Sequence, residues 1–310
     1  MNILYKPYRF FKKSKPLMKI VIACMLLYSI TYIINKYTPQ VEGFVQKEKF
    51  VLKEGNEVFD NFYEDIYDQL TYEPVKNKYE LGEIVIKTVM EPTRARVLDI
   101  GSGTGNHLRV LNNNKVDVTG LELSPSMVKK SKEKHPEIKV LNGDAMDSMI
   151  FPGNSFTHIQ CLSMTLYYIK DKAQLFENCF KWLMPGGYLS IHLVNKDKFN
   201  PILRSANPLF MISPQKHAKK RITESIIQFN DFHYKRDFKY KKGSNTAYFE
   251  ETIKDENTNK VRKNNHILYM ESQKEILAQA KNAGFILKEN IDMVNCQHEY
   301  EYIYILYKPE

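Results

Sequence analysis

The feature that most constrains this chain is the stretch VLDIGSGTGNHLRVL at residues 97–111. Three glycines at alternate positions lie there between an apolar run and a helix-like pattern. Glycine loses more backbone freedom on folding than any other residue, so this stretch is costly to order. The stretch indicates a strand, a glycine turn and a helix. Either a tight turn or the close approach of a ligand explains the glycines.

The sequence around this turn alternates between strand-like and helical patterns. Helical apolar spacing at residues 56–70 and 76–89 precedes the first strand. Apolar, strand-like runs then recur, with helical patterns among them, at residues 95–100, 116–121, 138–141, 156–162 and 188–194. Such alternation predicts a parallel sheet with helices on both faces.

Residues 196–270 interrupt this rhythm. They are rich in Phe, Tyr and Ile, with turn residues between the apolar runs, which predicts an antiparallel β-rich insertion. Beyond it, Ser272 and Glu275 have the spacing of a capping box that opens a helix ending at Gly284. Two closing strands are predicted at 285–293 and 300–307.

The spacing of the glycines narrows the choice of ligand. A dinucleotide fingerprint needs a third glycine at position 106, where this chain has Asn106. No Gly-Lys-Ser/Thr sequence follows to hold a triphosphate. The turn therefore fits a ligand without a pyrophosphate better than a dinucleotide, while a purely structural turn stays open.

Three acidic residues follow three successive predicted strands. Asp99 ends the first strand, Glu122 ends the second, and Asp144 follows the third. Each acid alone is explained equally well as a helix N-cap. Because open parallel sheets bind ligands at the carboxyl ends of their strands, the three together indicate one crevice in which Glu122 accepts hydrogen bonds from a ribose.

In order and spacing, VLDIGSGTG, GLELS, GDAM and the strand after PGG resemble the motifs of the class I S-adenosylmethionine-dependent methyltransferases. The resemblance covers residues 51–310. It implies a Rossmann-like α/β fold with a seven-stranded sheet whose last strand is antiparallel. It implies S-adenosylmethionine as the cofactor and direct methyl transfer to a substrate nucleophile. The cofactor-binding residues that it implies are Asp99, Gly101, Ser102, Gly103, Gly105, Glu122, Leu123, Asp144, Ala145, Met146 and Ser163.

The resemblance also implies a role for each group of residues. The glycines and Asp99 would lie beside the methionine part of the cofactor, and Glu122 would bind its ribose. Leu123 and residues 144–146 would surround the adenine, while Ser163 would lie near the sulfonium. No metal-ligand spacing occurs among the four cysteines, so we predict no metal site.

Candidate catalytic residues follow the fourth and fifth strands. Tyr167, Tyr168 and His192 lie at the predicted crevice end, where they could orient a nucleophile or take its proton. For His192, on an apolar strand, a buried core histidine is the alternative. The resemblance adds Tyr63 and Tyr67 as aromatic residues that cover the cofactor. The sequence CLSMTLYYI stands where methyltransferases of base amino groups commonly carry Asp/Asn-Pro-Pro-aromatic, which disfavours that substrate class.

The amino-terminal part carries an uncharged apolar run at residues 20–34. Because Lys19 can extend its ammonium to the interface, the usable span starts at Leu17 and reaches the ~17–25 residues of a spanning helix. We therefore predict a basic tail at 1–16, a transmembrane anchor at 17–35 and a single-pass membrane localisation. A cleaved signal peptide and a buried helix are the alternatives. The orientation in the membrane stays open.

Charge is unevenly distributed, which bears on partners. Residues 1–40 carry seven basic and no acidic residues, and residues 196–242 carry twelve basic and four acidic ones, in a chain of net charge +9. The chain is thus not uniformly basic, as a nucleic-acid binder often is. The basic segment 216–242 interleaves cations with aromatic residues, which suits an anionic partner, a lipid head group or RNA, or else a solvated strand face.

The predicted organisation is a linker at 36–50 and a methyltransferase domain at 51–310, whose insertion at about 196–270 caps the substrate site. We predict a membrane-anchored enzyme that methylates a small-molecule or lipid-like acceptor. Methylation of RNA or protein is an alternative within this class. A non-catalytic binding module and a nicotinamide-dependent reductase are alternatives outside it, and Asn106 disfavours the reductase.

Overall fold

The computed structural model describes residues 15–37, 48–204, 215 and 218–310. The chain divides into two compact units, Met1–Gly43 and Phe44–Glu310. In the first unit the described residues form one helix, α1 (Pro16–Tyr37). Most of the predicted basic tail and of the linker at 36–50 lies outside the described residues.

The prediction of a membrane anchor at residues 17–35 has to be corrected. Within the described ranges, no helix combines the length and apolar character that a bilayer crossing requires. The predictions of a transmembrane helix and of a membrane localisation are therefore wrong.

Two β-sheets organise the second unit. Its strands are β1 (Phe50–Glu54), β2 (Arg96–Ile100), β3 (Asp117–Glu122), β4 (Lys139–Asn142), β5 (Phe156–Cys161), β6 (Leu183–Val194), β7 (Glu224–Gln228), β8 (Phe232–Tyr240), β9 (Thr246–Asp255), β10 (Val261–Tyr269), β11 (Ile286–Asp292) and β12 (Glu301–Tyr307). The main sheet has the order β11-β12-β6-β5-β2-β3-β4, and the cap sheet has the order β1-β10-β9-β8-β7.

The main sheet has the predicted topology. Strands β2 to β6 pair in parallel, and the last strand, β12, runs antiparallel to both β6 and β11. The strands read as continuous apolar runs because helices cover both faces, and Leu98, Ile159 and Ile191 are fully buried. Each such side chain contributes about 1.5–3 kcal/mol by leaving water.

Local signals set where the helices begin. The helices of the second unit are α2 (Asn61–Thr71), α3 (Pro74–Lys87), α4 (Asn106–Asn113), α5 (Pro125–Lys134), α6 (Lys172–Trp182) and α7 (Gln273–Asn282). Asp60 caps α2 by accepting a hydrogen bond from the Tyr63 N–H, and Ser124 caps α5 from the Met127 N–H. The predicted capping box of Ser272 and Glu275 is formed at α7.

The cap sheet is antiparallel from β7 to β10, as the pattern of residues 196–270 predicts. Residues 229–231 join β7 to β8. Strand β1, from far earlier in the chain, pairs in parallel with the edge strand β10. The sequence gives no sign of this pairing, because it joins segments about two hundred residues apart.

Candidate active site

The glycine turn after β2 is required by two close contacts. Gly101 has φ +68°, and a Cβ there would lie 2.3 Å from Thr165 Cγ2. Gly105 has φ +82°, caps α4, and would place a Cβ 2.5 Å from Ser131 Oγ on α5. Both positions need a left-handed backbone and have no room for a side chain. Gly103 differs, because a Cβ there would meet only the Tyr67 ring, at an ordinary 3.6 Å.

Glu122 is fixed at the end of β3 by two backbone donors. Its Oε2 accepts a hydrogen bond from the Gly103 N–H at 2.9 Å, and its Oε1 accepts one from the Ser124 N–H at 2.8 Å. Burial raises the pKa of Glu122, and these hydrogen bonds oppose that rise. Each oxygen keeps a lone pair, so the carboxylate can accept from two vicinal hydroxyls at once.

An acidic side chain lies at the amino end of α4. Asp68 Oδ1 accepts from Thr104 Oγ1 at 2.6 Å and from Asn106 Nδ2 at 2.9 Å, and Lys134 pairs with the other oxygen. In dinucleotide-binding folds the pyrophosphate lies at this helix end. The carboxylate of Asp68 would repel a pyrophosphate. This supports the conclusion, drawn from Asn106 in the sequence, that the turn does not bind a dinucleotide.

Asp99 lies behind the site rather than in it. Its side chain is 2% exposed, and burial raises its pKa to about 6. Its Oδ2 has no hydrogen-bond partner among the described residues. Such an oxygen is costly to bury unless it is paired, so Asp99 is suited to receive a donor that reaches the bottom of the glycine turn.

The loop after β4 and the end of β3 provide a mixed polar and apolar wall. Asp144 Oδ1 accepts from the Met146 N–H at 2.9 Å, and Ala145 is held through its carbonyl by Asn178 Nδ2 at 2.9 Å. Leu123 is 44% exposed on this wall. An exposed apolar side chain next to an exposed carboxylate matches the flat ring and amino edge of an adenine.

The loop after β5 is strained. Ser163 and Met164 both have positive φ, +50° and +66°, which is uncommon for residues other than glycine. The Met164 N–H donates to His192 Nδ1 at 3.1 Å, and His192 Nε2 lies 3.1 Å from Glu301 Oε2. Burial lowers the pKa of His192. Because Nδ1 already accepts the Met164 N–H, His192 holds the loop in place and its Nδ1 is not free to act as a base.

The two neighbouring tyrosines of this loop have different positions. Tyr167 is fully buried, its hydroxyl accepts from the Val194 N–H at 2.8 Å, and it lies in the core. Tyr168 faces the cavity, and its hydroxyl lies 3.1 Å from His266 Nδ1 on β10. Of the pair predicted from the sequence, only Tyr168 can therefore reach a ligand.

A cavity of about 950 Å³, the central cavity, lies between the main sheet and the cap sheet. Its size is within the ~300–1,000 Å³ typical of small-molecule sites. Of the described residues predicted for the site, Asp99, Gly105 and Tyr167 lie behind its wall. The predicted residues that line it are Gly101, Ser102, Gly103, Glu122, Leu123, Asp144, Ala145, Met146, Ser163, Tyr168 and His192, with Tyr63 and Tyr67. No group of three or more metal-ligand side chains is found in the described part of the chain.

The cap sheet contributes residues that sequence reasoning missed. Arg236, Phe249, Glu251 and His266 project from β8, β9 and β10 into the central cavity. Glu251 and His266 are nearly inaccessible to solvent. The only available signal was the presence of a polar residue at a position that faces inward in an alternating strand. A single sequence does not distinguish such a residue from an acid on the protein surface.

The lysines of β8 lie on the face opposite its buried aromatic residues, whereas Arg236 shares the inner face with them. Phe232, Tyr234 and Phe238 are buried beneath the cap sheet, because successive residues of a strand alternate between its faces. On the outer face, Lys235 pairs with Glu224 and Lys239 pairs with Glu250. The rings are therefore unavailable for stacking with a nucleic acid, while residues 216 and 217 lie outside the described part.

Comparison with known proteins gives matches to part of the chain. Residues 97–187 match the model of a methyltransferase domain family. A dTDP-4-amino-2,3,4,6-tetradeoxy-D-glucose N,N-dimethyltransferase of Saccharopolyspora spinosa is 31% identical over 140 residues, 43% of this chain and 55% of that protein. A dTDP-3-amino-3,6-dideoxy-alpha-D-glucopyranose N,N-dimethyltransferase of Streptomyces fradiae is 32% identical over 27% of this chain and 32% of that protein. The chain thus spans about half or less of these relatives' length.

The fold has close counterparts among solved structures. The CcbJ methyltransferase of Streptomyces caelestis superposes with a TM-score of 0.62 at 16% identity, over 82% of this chain and 98% of that one. The motif order, the matched domain and the shared fold confirm the predicted enzyme class and, with it, S-adenosylmethionine as the cofactor of that class. Residues 97–187 therefore form a domain of a methyltransferase family, and the chain has the fold of the class I S-adenosylmethionine-dependent methyltransferases.

Proposed function

We propose that this chain transfers a methyl group from S-adenosylmethionine to the nitrogen of a small polar amine that binds under the cap sheet. One observation carries the proposal. The central cavity runs from Glu122 and Asp144, at the strand ends of the main sheet, to Phe249, Glu251 and His266, on the inner face of the cap sheet. Two ligands can therefore lie side by side in one cavity, aligned as group transfer requires.

The main-sheet half fits the cofactor. Glu122 is oriented to accept hydrogen bonds from the ribose hydroxyls, and Asp144 with Leu123 is suited to the adenine. Asp99, with its unpartnered oxygen, supports the methionine end. When bound, S-adenosylmethionine supplies a methyl group that its sulfonium already activates. The protein mainly aligns the acceptor and excludes water.

The cap half fits a small acceptor. The relatives named above act on amino sugars linked to dTDP, and the proposal carries an amine acceptor over from them. The cavity wall there combines aromatic rings with a few fixed polar groups, the usual composition of a small-molecule site. Since the outer-face lysines of β8 are paired and its rings are buried, an RNA acceptor receives less support.

The test measures binding and transfer separately. Calorimetry with S-adenosylmethionine should give a one-to-one complex for the full chain. Cofactor labelled on the methyl group is then incubated with dTDP-3-amino-3,6-dideoxy-alpha-D-glucopyranose, glucosamine and phosphoethanolamine, and with glucose and glycerol phosphate as matched hydroxyl controls.

We expect label in an amine and none in the hydroxyl compounds. Label only in hydroxyl compounds would reject the nitrogen acceptor. Absence of cofactor binding would instead reject the enzyme and favour a binding module. A fractionated cell extract, incubated in parallel, reveals an acceptor outside the panel, since label in an RNA or protein fraction contradicts the small-molecule class.

A further inference from the structure

A buried carboxylate under the cap sheet is held by a complete set of donors. Glu251 Oε1 accepts from the hydroxyls of Tyr63 at 2.8 Å and of Tyr234 at 2.5 Å, and Oε2 accepts from Asn264 Nδ2 at 2.8 Å. Burial alone would raise the pKa of Glu251, but the imidazolium form of His266 and these hydrogen bonds outweigh it and lower the pKa to about 2. The group is therefore an ionised carboxylate that is already saturated and does not itself bind a ligand.

Glu251 determines which nitrogen of His266 carries the proton. His266 Nε2 lies 3.2 Å from Glu251 Oε1 and 3.4 Å from the Tyr63 hydroxyl, whose own proton is donated to Glu251. Both neighbours of Nε2 can only accept from it. A neutral His266 therefore carries its hydrogen on Nε2 and leaves Nδ1 as an acceptor.

His266 Nδ1 faces Tyr168. The Tyr168 hydroxyl lies 3.1 Å from Nδ1, so in this tautomer it donates its proton to the imidazole. Burial raises the pKa of Tyr168, so the phenol keeps its proton at neutral pH. The Tyr168 oxygen retains a lone pair on the cavity side, in the loop that also carries Ser163.

We infer that Tyr168, His266 and Glu251 form a proton relay that prepares the acceptor, an inference that rests on the proposed function. The acceptor arrives as an ammonium ion. One N–H bond breaks and leaves its electron pair on nitrogen as the nucleophilic lone pair. That proton passes to Tyr168 Oη while the hydroxyl's own proton passes to His266 Nδ1. The resulting imidazolium is stabilised by the Glu251 carboxylate.

The relay also defines the acceptor class. A buried ammonium gives up its proton more readily than one in water, because burial disfavours the charged form. An aliphatic alcohol holds its proton far too tightly for an imidazole to remove it. The relay therefore selects amines over the alcohols of otherwise similar molecules. His266 and Glu251 act through Tyr168, which alone touches the acceptor.

The first test needs no acceptor. Nitrogen-15 NMR of histidine-labelled wild-type chain reports the tautomer of each imidazole, and the His266 signal is assigned as the one lost in His266→Gln. We expect the Nε2–H form at neutral pH. An Nδ1–H form would overturn the inference, because Nδ1 could then not receive the Tyr168 proton.

The second test uses variants that keep the shape of the site. Tyr168→Phe removes one oxygen, and its matched control is Tyr248→Phe on the outer side of β9. His266→Gln is matched by His233→Gln, because the exposed ring of His233 on β8 pairs with Glu256 away from the central cavity. We expect a loss of roughly 10²-fold in methyl transfer to the amine for each relay variant, and unchanged transfer for both controls.

The outcomes separate the relay from the function itself. Unchanged cofactor affinity in Tyr168→Phe with the expected loss of transfer supports the relay. Full transfer by Tyr168→Phe overturns it and leaves the methyltransferase proposal intact. Wild-type transfer to alcohols as fast as to amines also overturns it. Failure of wild type to bind S-adenosylmethionine rejects the proposed function, while the tautomer measurement still decides whether the relay is assembled.

Discussion

The strand ends of the main sheet and the inner face of the cap sheet form opposite walls of one cavity, yet they are built differently. On the main sheet, Glu122 is the last residue of β3 and Asp144 follows β4 by two positions, so the two meet because parallel strands end together. Under the cap sheet, Glu251 is held by Tyr63, which is 188 residues away in the chain. Local sequence motifs place the residues of the first wall, and packing between segments that are distant in the chain places those of the second.

This difference parallels a difference in chemistry. The main-sheet wall presents backbone N–H groups, a fixed carboxylate and an exposed apolar side chain, which suit one cofactor. The cap wall presents a buried carboxylate and an imidazole, which face the Tyr168 phenol of the loop after β5 and suit proton movement. A fold can therefore keep the first wall and change its acceptor by altering the second.

Replacing Glu122 should give the largest effect and tests whether the main-sheet wall alone binds the cofactor. In Glu122→Ala, two ribose hydroxyls lose a charged acceptor, and the N–H groups of Gly103 and Ser124 lose theirs. Since a hydrogen bond to a charged group contributes about 1.5–3 kcal/mol, we expect the Kd for S-adenosylmethionine to rise by roughly 10²–10³-fold. Calorimetry measures it, with Glu137→Gln at the exposed Glu137, just before β4, as the control. An unchanged Kd would remove Glu122 from the site.

The glycine turn allows a matched comparison within one loop. In Gly101→Ala the left-handed backbone and the overlap with Thr165 should together lower the free energy of unfolding by about 3 kcal/mol. In Gly103→Ala only the backbone is strained, so we expect about 1 kcal/mol. Urea unfolding measures both.

Adding Thr165→Ala to Gly101→Ala should restore part of the lost stability, because it removes the atoms that overlap. No restoration would mean that the backbone strain accounts for the whole effect. The order of the two variants should be reversed for cofactor binding. Gly103→Ala should weaken binding more than Gly101→Ala, although Gly101→Ala loses more stability. Gly103→Ala projects a methyl group into the central cavity and Gly101→Ala projects one toward Thr165.

His298 lies near the start of α3 and the start of β12, and its contribution to the free energy of unfolding should depend on pH. Its Nε2 lies 2.9 Å from Glu73 and its Nδ1 lies 3.1 Å from Glu301. Burial works against the imidazolium, but Glu301 and Glu73 outweigh it and raise the pKa of His298 to about 9. A raised pKa contributes stability that is fully present below the unfolded value of ~6.5 and is lost as the pH rises through 9.

The difference in unfolding free energy between wild type and His298→Gln should therefore be largest near pH 6, on the order of 2 kcal/mol, and small above the folded pKa. Urea midpoints at several pH values measure it, with the exposed His233→Gln as the control. A difference that does not change with pH would show that the imidazole contributes by packing alone.

The sequence predicted the main-sheet wall well, and the physical reason is visible at Glu122. A carboxylate that directly follows a strand has its position fixed by that strand, so the register of β3 is enough to place it. The same reasoning failed at Tyr167 and Tyr168, because a left-handed turn at Ser163 and Met164 decides which of the two faces the cavity. His266 could not be found, because its role depends on Glu251 and Tyr168 from two other elements.

The membrane anchor failed for a different reason. It was inferred from hydropathy and flanking charge. These describe composition, and they do not establish that a helix is long and apolar enough to cross a membrane. The anionic partner of the basic segment 216–242 stays a prediction, since strand alternation alone interleaves buried rings with exposed cations such as Lys235 and Lys239. An alternation of cations and aromatic residues with a period of two is therefore stronger evidence for a strand than for a binding partner.

The outer face of the cap sheet should give the smallest effect, which sharpens its contrast with the inner face. Lys239 pairs with Glu250 across β8 and β9, and both side chains are about half exposed. Surface pairs of this kind contribute about 0–1 kcal/mol, because solvent screens them and both side chains lose freedom. A double-mutant cycle of Lys239→Ala and Glu250→Ala should therefore give a coupling free energy below about 0.5 kcal/mol in urea unfolding. Methyl transfer should be unchanged in all three variants, and a loss of transfer in Lys239→Ala alone would mean that the outer face, and not only the central cavity, contacts the acceptor.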